Sequence, residues 1–487
     1  ALMDIKKLKN LVIQFQKNRD YYHDAKNAYN EQSCRDEYIS PLLECFGWDV
    51  QNAAGKDPQY REVRVEKVTR KTDRIDYTLT LNGVDKIFVE AKKPMVDITR
   101  DPEPAKQARR YGYNAKHSVA VLTNFEDLMI YDVTYEPKES DDARVALYKH
   151  YNYTDYVSKY AEIAKILLRD NVYDGHFDSL VNTEFITDTR DRIQVDRLFL
   201  QLINGWRKGI GEYLYSKDAK YHDEEVLNDS VQSFINQIIF LRICEDNNLP
   251  LYQNLKSVAG DREKLKSEMH SLITAADKRY NSGLFKSDDA ILDLSVDAIW
   301  EVIDSIYYPK SPYLFNVIEP SLLGKIYETY LTQKLVVNNR SHSVALGDKE
   351  EYLFRSVVTT PIELVKSMVK MALTPICEGK TPEEIKKIRI ADIACGSGVF
   401  LVEAFQFLVD WVTNWYLRNE PNHLIEIDNG EKKIPFVEKK DILVNSIYGV
   451  DIDAHAVETA KFSLLVKLLE KETGPSISSE TPALPGL

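Results

Sequence analysis

Asp76, Glu90 and Lys92 have the residue types and spacing to do chemistry on phosphate. Two carboxylates on adjacent strands can share a hard divalent cation such as Mg2+, each oxygen about 2.1 Å from the ion. Such an ion lowers the pKa of a bound water and so makes a nucleophile for in-line attack on a phosphodiester. Lys92, two residues from Glu90 on an extended chain, points to the same face, where it can orient that water and offset developing charge. A second set lies far along the chain, in Asp392-Ile-Ala394-Cys395-Gly396-Ser-Gly398 and in Val450-Asp451-Ile452-Asp453. The first run is not the Gly-x-Gly-x-x-Gly dinucleotide pattern, and Asp392 would repel a phosphate. An uncharged glycine turn beside a carboxylate suits an amino-acid-like ligand, which the backbone can approach closely. An acid ending the second strand of such a unit is placed to take both ribose hydroxyls of a nucleoside, which assigns Asp451 to the ribose.

These residues need elements to position them. Ile75, Tyr77, Leu79 and Leu81 alternate with polar residues as a half-buried strand, Asn82-Gly83 turns the chain, and residues 86–92 return. Parity matters here. A plain two-residue hairpin pairs Leu81 with Val84, which sets Glu90 on the face opposite Asp76. The acids share a face only if the ribbon is bulged or its loop odd-numbered. A three-residue loop, Leu81-Asn82-Gly83, with Gly83 left-handed in a G1 bulge, supplies the shift. Upstream, residues 4–29 and 31–46 read as helices, the second stopped by Gly47, and Trp48-Asp49-Val50 opens an extended segment. Downstream, 118–124 and 128–132 read as two further strands of a mixed sheet. Near the later turn, Ile388, Ile390 and Ile393 read as a short buried strand, and Val399, Phe400, Val402 and Phe405 open a helix. A second strand at 447–453 leads into a stripe of Ala456, Ala460, Leu464 and Leu465.

The constellation Asp76…Glu90-x-Lys92 resembles the PD-(D/E)xK nuclease core, with Ile75 where that family often has proline. Asn30-Glu31…Arg35…Tyr38-Ile-Ser-Pro-Leu-Leu…Phe46-Gly-Trp resembles the opening helix of type I restriction-subunit nuclease domains, which implies Glu31 as a third acid near the metal. Gln107 and Tyr111, one helical turn apart, match the Gln-x-x-x-Tyr extension of the same nucleases and are expected to contact DNA. The resemblance puts Mg2+ on Asp76 and Glu90, with Ala91 beside them. The run Asp392 to Phe400 resembles the S-adenosylmethionine motif of DNA adenine-N6 methyltransferases, and Val358-Thr-Thr360-Pro matches that family's segment under the cofactor. The resemblance therefore implies S-adenosylmethionine at Thr360, Asp392, Ala394, Cys395, Gly396, Gly398, Asp451 and Ile452, with Ile452 facing the adenine ring. The family's Asn-Pro-Pro-Tyr or Asp-Pro-Pro-Tyr signature is absent from the 487 residues. The expectation is a C-terminally truncated chain, closed by a loop-like tail from Pro475, that binds the cofactor and cannot itself transfer methyl.

Composition bounds the rest. The chain is long enough for about three domains and has ordinary hydrophobic and charged fractions. Its five cysteines form no C-x-x-C pair, which argues against structural zinc and for a reducing cytoplasm. No apolar run approaches membrane-spanning length. The net charge of −13 speaks against nucleic acid, but residues 1–150 hold 25 basic and 25 acidic residues, so the deficit lies wholly in 151–487. Arg61, Arg64, Lys67, Arg70, Lys71 and Arg74 form a basic stretch able to track phosphates. Residues 155–345 read as helical, with Leu198–Leu214 and Val226–Asn247 at helical spacing, a surface ion-pair set at Arg242, Glu245 and Asp246, and a polar loop at 341–351. Glu378-Gly-Lys-Thr381 lacks the earlier glycine of a phosphate loop, which argues against an ATP-driven motor within this chain.

Nuclease, connector and methyltransferase in that order resemble the type IIG restriction-modification family. The expected fold is a multi-domain α/β chain: a mixed-sheet PD-(D/E)xK core over residues 1–155, an all-α connector over 156–345, and the start of a Rossmann-like S-adenosylmethionine-dependent methyltransferase over 346–487. The family implies double-stranded DNA as partner, adenine-N6 methylation, Mg2+-dependent cleavage and a transient homodimer on DNA. Two rivals are a phage-defence modification methyltransferase whose nuclease-like domain only grips DNA, and an enzyme in which the cofactor serves as a sensor that licenses cleavage.

Overall fold

The computed structural model describes residues 2–66, 75–185, 195–249, 254–280, 289–318, 332–349, 360–427 and 431–477. The chain divides into two compact units. One holds Ala1–Val195, Pro312–Val317 and Glu426–Lys432; the other holds Asp196–Ser311, Ile318–Ile425 and Lys433–Leu487.

The first unit is built on a six-stranded mixed sheet in sequential order. Helix α1 spans Leu2–His23. Helix α2 runs through three consecutive stretches: an α-helical Glu31–Cys34, a π-helical Arg35–Ile39 and an α-helical Ser40–Cys45. Its expected stop holds, because Gly47 takes a φ of +89°, which a Cβ disfavours. Trp48–Val50 joins no strand, Trp48 and Asp49 being irregular and Val50 in a turn; the first strand, β1, comes later at Val63–Val65. Next come β2 (Tyr77–Leu81), β3 (Val84–Ala91), helix α3 (Pro102–Asn114), β4 (Val119–Thr123), β5 (Asp127–Asp132) and β6 (Leu147–Asn152). Only β3 and β4 are parallel, joined by α3 as crossover; the other neighbours are antiparallel. One face of the sheet packs Tyr77, Leu79, Ile87 and Val89 against Phe15, Tyr38 and Leu42 of α1 and α2. The other packs Phe88, Ala120, Leu122 and Met129 against Ala105 and Ala108 of α3.

In the second unit, α4 (Val195–Lys217) and α5 (Glu224–Asp246) appear where apolar spacing places them, followed by α6 (Leu265–Tyr280) and α7 (Val296–Ser305). The stretch is not all-α. A hairpin of β7 (Gln333–Asn338) and β8 (Ser343–Asp348) replaces most of the polar loop expected at 341–351, since Leu335 and Val344 alternate inward against Gly211 of α4. Arg242 is buried and Glu245 and Asp246 are half-buried, so they are not a surface set. Arg242 stacks 4.3 Å from the Tyr307 ring and pairs with Asp246 at 2.5 Å, while Tyr307 donates to Glu245 at 2.6 Å.

Helix α8 (Ile362–Cys377) precedes β9 (Ile390–Asp392), α9 (Val399–Asn419), α10 (Phe436–Ser446), β10 (Ile447–Gly449) and α11 (Ala454–Leu469). Strands β9 and β10 are parallel neighbours, with Gly449 opposite Asp392. Strand β9 is not buried as expected: Ile390 is half-buried and Ile393 is 82 % exposed. The helical stripe of Ala456, Ala460, Leu464 and Leu465 is buried. Of the tail, Pro475–Ile477 belongs to a helical turn, Gly474–Ile477; the remainder, Val358–Thr359, Lys67–Arg74 and Glu350–Glu351 lie outside the described residues.

Candidate functional site

The ribbon carrying Asp76 and Glu90 has the required bulge, at a different place from the one expected. Asn82 and Gly83 are both left-handed (φ +51° and +84°), a two-residue turn that pairs Leu81 with Val84. The register then slips: Thr80 faces Asp85 and Leu79 faces Ile87, leaving Lys86 as the extra residue. Beyond the bulge Tyr77 faces Val89, so Asp76 comes opposite Glu90 and the two acids share a face. Lys86 is held in the bulge by Asp178, at 2.9 Å.

Both acids are out of solvent. Asp76 accepts from the Ala91 backbone N–H through Oδ2 (2.7 Å) and from Arg35 Nη1 through Oδ1 (2.8 Å). Glu90 is 2 % exposed; Lys92 Nζ donates to its Oε1 at 2.5 Å, while its Oε2 is buried with no hydrogen-bond partner among the described residues. Burial pushes the Glu90 carboxyl up, Asp76 adds to the push, and Lys92 opposes it. Burial also raises Asp76, against Arg35, the Ala91 amide and Lys92. Lys92 is lowered by burial but raised further by Glu90, Glu31 and Asp76, so it stays cationic. Glu31, in the first turn of α2, has its Oε2 3.9 Å from Lys92 Nζ. It joins the cluster through the lysine, since no three His, Cys, Asp or Glu side chains converge as a ready metal cluster among the described residues. The residues nevertheless fit a hard cation. Two opposed carboxylates and an orphaned buried oxygen are the donor set such an ion takes, completed by backbone oxygen and water. Ala91 already serves the site through its N–H.

On α3, Gln107 and Tyr111 are half-buried on the sheet face that Glu90 shares with Phe88; the Tyr111 ring packs edge-on against Phe88 at 4.8 Å. The basic stretch is partly neutralised within its own unit, since Arg64 pairs with Asp85 and, at 2.7 Å, with Glu431. Arg35 was legible only as part of a motif, with no role attached. The bulge at Lys86 carries no sequence signal beyond the parity argument.

The second unit gathers the later set at the C-terminal ends of β9 and β10. Asp392 accepts from the Ala394 N–H (3.1 Å), and Asp451 accepts from the N–H groups of Gly396 and Asp453 (both 2.9 Å). Gly396 and Gly398 are left-handed, at φ +52° and +82°. A Cβ on Gly398 would stand 2.9 Å from that of Ala460, so the missing side chain at this glycine lets α11 pack close. The buried Cys395 side chain lies against Gly449, and burial beside Asp451 and Asp392 pushes its thiol up to about 11. Ile452 is fully exposed, and Thr360 is half-buried two residues before α8. Two carboxylates at adjacent strand ends, with an exposed isoleucine after the second, fit a nucleoside bearing an amino-acid arm. Sequence reasoning missed a neighbouring cluster: Asp453 accepts from Lys349 (2.9 Å), and His455 lies 2.8 Å from Asp229 of α5.

Comparison with known proteins agrees with this order of sites. Residues 28–139 match the family described as type I restriction enzyme R protein N terminus, and residues 379–481 match the MmeI DNA-methyltransferase domain. These segments contain the Asp76–Glu90 ribbon and the Asp392–Asp451 turn respectively. Over nearly its whole length the chain is similar to type II restriction-modification enzymes. It is 40 % identical over 488 residues to the type II restriction enzyme and methyltransferase RM.Eco57I of Escherichia coli, covering 99 % of this chain and 48 % of that protein. It is 21 % identical to the putative type II restriction enzyme and methyltransferase RM.MjaORFECS2P of Methanocaldococcus jannaschii, covering 90 % of this chain and 43 % of the relative. The chain thus spans about half the length of the curated relatives it matches. Among solved structures it is similar to a DrdV–DNA complex (TM-score 0.33, 12 % identity, 97 % of this chain and 39 % of that one). It is also similar to the type IIG restriction endonuclease BpuSI (TM-score 0.28, 14 % identity, 90 % and 41 %).

Proposed function

We propose that residues 1–155 hydrolyse phosphodiester bonds of double-stranded DNA with Mg2+, that 156–345 form a connector, and that 346–487 bind S-adenosylmethionine for adenine-N6 methylation by the whole enzyme. The observation that carries the nuclease half is the bulge at Lys86, which sets Asp76 opposite Glu90 with Lys92 on the same face. Asp76 and Glu90 would hold the cation, next to Ala91. Bound there, a divalent ion supplies the positive charge that makes water acidic and steadies the phosphate. Lys92 holds its proton, keeps Glu90 aimed through Oε1, and offers positive charge to an incoming phosphate. Glu31 steadies Lys92 from the other side. Gln107 and Tyr111, from α3, meet the DNA strand. On the second unit, Asp451 takes the ribose hydroxyls, Ile452 covers the adenine, and Asp392 with the Ala394–Gly398 backbone and Thr360 receives the methionine arm.

No described helix is long and apolar enough to cross a membrane, and a cytoplasmic enzyme acting on DNA is consistent with that. One nuclease centre cuts one strand, so double-strand cleavage calls for a transient homodimer on DNA. The test is nicking of supercoiled DNA. Mg2+-dependent cleavage is expected from the parent chain and should vanish in Asp76→Ala and Lys92→Ala variants that keep their melting temperature. Cleavage that survives both substitutions would place the chemistry on other residues, and DNA binding with no cleavage by the parent at any Mg2+ concentration would leave only the non-cleaving, DNA-gripping alternative.

A further inference from the structure

Arg35 is 2 % exposed, and its guanidinium is anchored on several sides. Nη1 donates to Asp76 Oδ1 (2.8 Å), while Nη2 donates to the Glu66 carbonyl (2.8 Å) and to the Asp76 carbonyl (3.4 Å). The Glu66 N–H in turn donates to the Asp76 carbonyl (2.9 Å), so one side chain ties the end of β1 to the residue that opens β2. The Tyr77 ring lies 5.0 Å below the guanidinium carbon, and the Tyr77 hydroxyl meets Ser40 Oγ at 2.9 Å. Arg35 reaches this place from the first residue of the π-helical stretch, the kind of helix irregularity that gathers at working sites.

An arginine buried on a carboxylate is costly unless the pair serves a purpose. A surface pair of this kind would contribute little, and a buried apolar pair would pack as well. The charges suggest the purpose. With every acid ionised, Asp76, Glu90 and Glu31 carry three negative charges, and Arg35 and Lys92 two positive ones, so the metal-free cluster sums to one negative charge. Without Arg35 it would sum to two. We propose that Arg35 is the resident counter-cation of Asp76, a positioning residue that fixes the carboxylate's orientation and, by competing for it, holds down the site's affinity for divalent ions. This rests on the nuclease proposal above. It goes further by giving a role to a residue that would touch neither metal nor substrate directly.

A purely structural arginine and a counter-cation make opposite predictions for metal binding. If Arg35 only props up the fold, its loss loosens Asp76 and weakens Mg2+ binding together with cleavage. If it competes with the ion, its loss strengthens Mg2+ binding while cleavage falls, because the carboxylate is no longer held in line. The experiment is a Mg2+ titration of the whole chain without DNA, by calorimetry or thermal shift, beside nicking at saturating Mg2+. Arg35→Met should melt lower without metal and bind Mg2+ at least about tenfold more tightly, as expected when a unit positive charge close to a divalent ion is removed. Its cleavage at saturating Mg2+ should fall by a similar or larger factor. Arg35→Lys, which keeps the charge, should hold the Mg2+ midpoint within about threefold of the parent and guards against a variant that fails to fold. Mg2+ binding weakened or unchanged in Arg35→Met, or tightened equally in Arg35→Lys, overturns the proposal. Asp76→Ala, run in parallel, separates the two claims. If it binds Mg2+ like the parent, the metal site itself is misassigned, whatever Arg35 does.

Discussion

Each unit brings a pair of acids together at the ends of neighbouring strands, and the two pairs are satisfied in opposite ways. In the second unit, Asp392 and Asp451 face the N–H groups of Ala394, Gly396 and Asp453, which are fixed by the turn and cannot leave. In the first, Asp76 takes one amide and one guanidinium, and Glu90 takes an ammonium and leaves an oxygen with nothing. Amides neutralise a carboxylate in place and leave it free to accept a neutral hydroxyl or amine. Side-chain cations can be supplemented or displaced by a metal, and an orphaned buried oxygen invites one. Similar residue types at similar strand ends therefore point to a nucleoside in one unit and a divalent ion in the other.

The sharpest way to break that contrast is to separate the acids. Inserting one alanine between Val89 and Glu90 leaves the ribbon's register intact as far as Val89, turns Glu90 and Lys92 to the far face, and should abolish cleavage, a loss on the order of a thousandfold or more. S-adenosylmethionine binding by the second unit should be unchanged. Cleavage retained at anything near the parent rate would mean that the acids do not work as a pair.

Next in size is the response of the metal-free protein to Glu90→Gln. Burial and Asp76 hold the Glu90 carboxyl above its ordinary 4.5. A carboxyl raised in the folded state favours folding fully below 4.5, and that advantage is lost as pH rises through the raised value. In chelator, the first unit should therefore lose stability as the pH rises above 4.5, and the glutamine variant should lose less, since it takes the cluster from one net negative charge to none. Melting curves across that range check this. The same variant should lose Mg2+-induced stabilisation. A glutamine variant with the parent's pH slope would show that Glu90 carries no such burden.

How much of this was legible in the sequence differs between the units for a physical reason. Strands and helices announce themselves by alternation and by 3.6-residue spacing, so α2, β2–β5, α5 and α9 were found within a few residues. The parity of the hairpin required a slip, yet Lys86 could not be named, because any residue can occupy a bulge that side-chain contacts elsewhere stabilise. Arg35 escaped because its partner, Asp76, is distant in sequence. Ile393 looked like core because apolar residues at a strand end usually are; its exposure depends on what the rest of the sheet does. The glycine turn was legible as a turn, but the spacing could not tell a glycine that admits a ligand from one that admits α11.

Gly398→Ala probes that last distinction at the next lower magnitude. The new methyl would stand 2.9 Å from the Ala460 Cβ at a φ of +82°. Crowding and backbone strain together should cost about 1–3 kcal/mol, read as a lower melting temperature of the second unit. Gly396→Ala, at φ +52°, meets the strain at a residue whose N–H is tied to Asp451. If Gly398 serves packing and Gly396 the ligand, the first variant should weaken S-adenosylmethionine only in proportion to lost stability. The second should weaken it more than its melting temperature explains.

The smallest effect sharpens the contrast by extending it to a group that touches neither pair. Asp453 is held below its ordinary 3.8 by His455 and, after a cost of burial, by Lys349. His455 is raised above 6.5 by Asp453, despite burial, with Asp229 adding to the rise. The signs run in opposite directions. The aspartate's contribution is present above 3.8 and lost as pH falls below it, while the histidine's is complete below 6.5 and lost as pH rises through its raised value. The second unit should thus have a stability plateau between those limits and a decline on the alkaline side, where the first unit's Glu90 also declines without metal. The two can be told apart, since Mg2+ should restore only the first and His455→Asn should flatten only the second. Because Asp453 donates its N–H to Asp451, the same histidine variant should weaken S-adenosylmethionine by a small factor near pH 6 and by less near pH 9. A variant whose cofactor affinity tracks the parent's at both pH values would show that the Asp453 cluster steadies the helix and leaves the ribose acid alone.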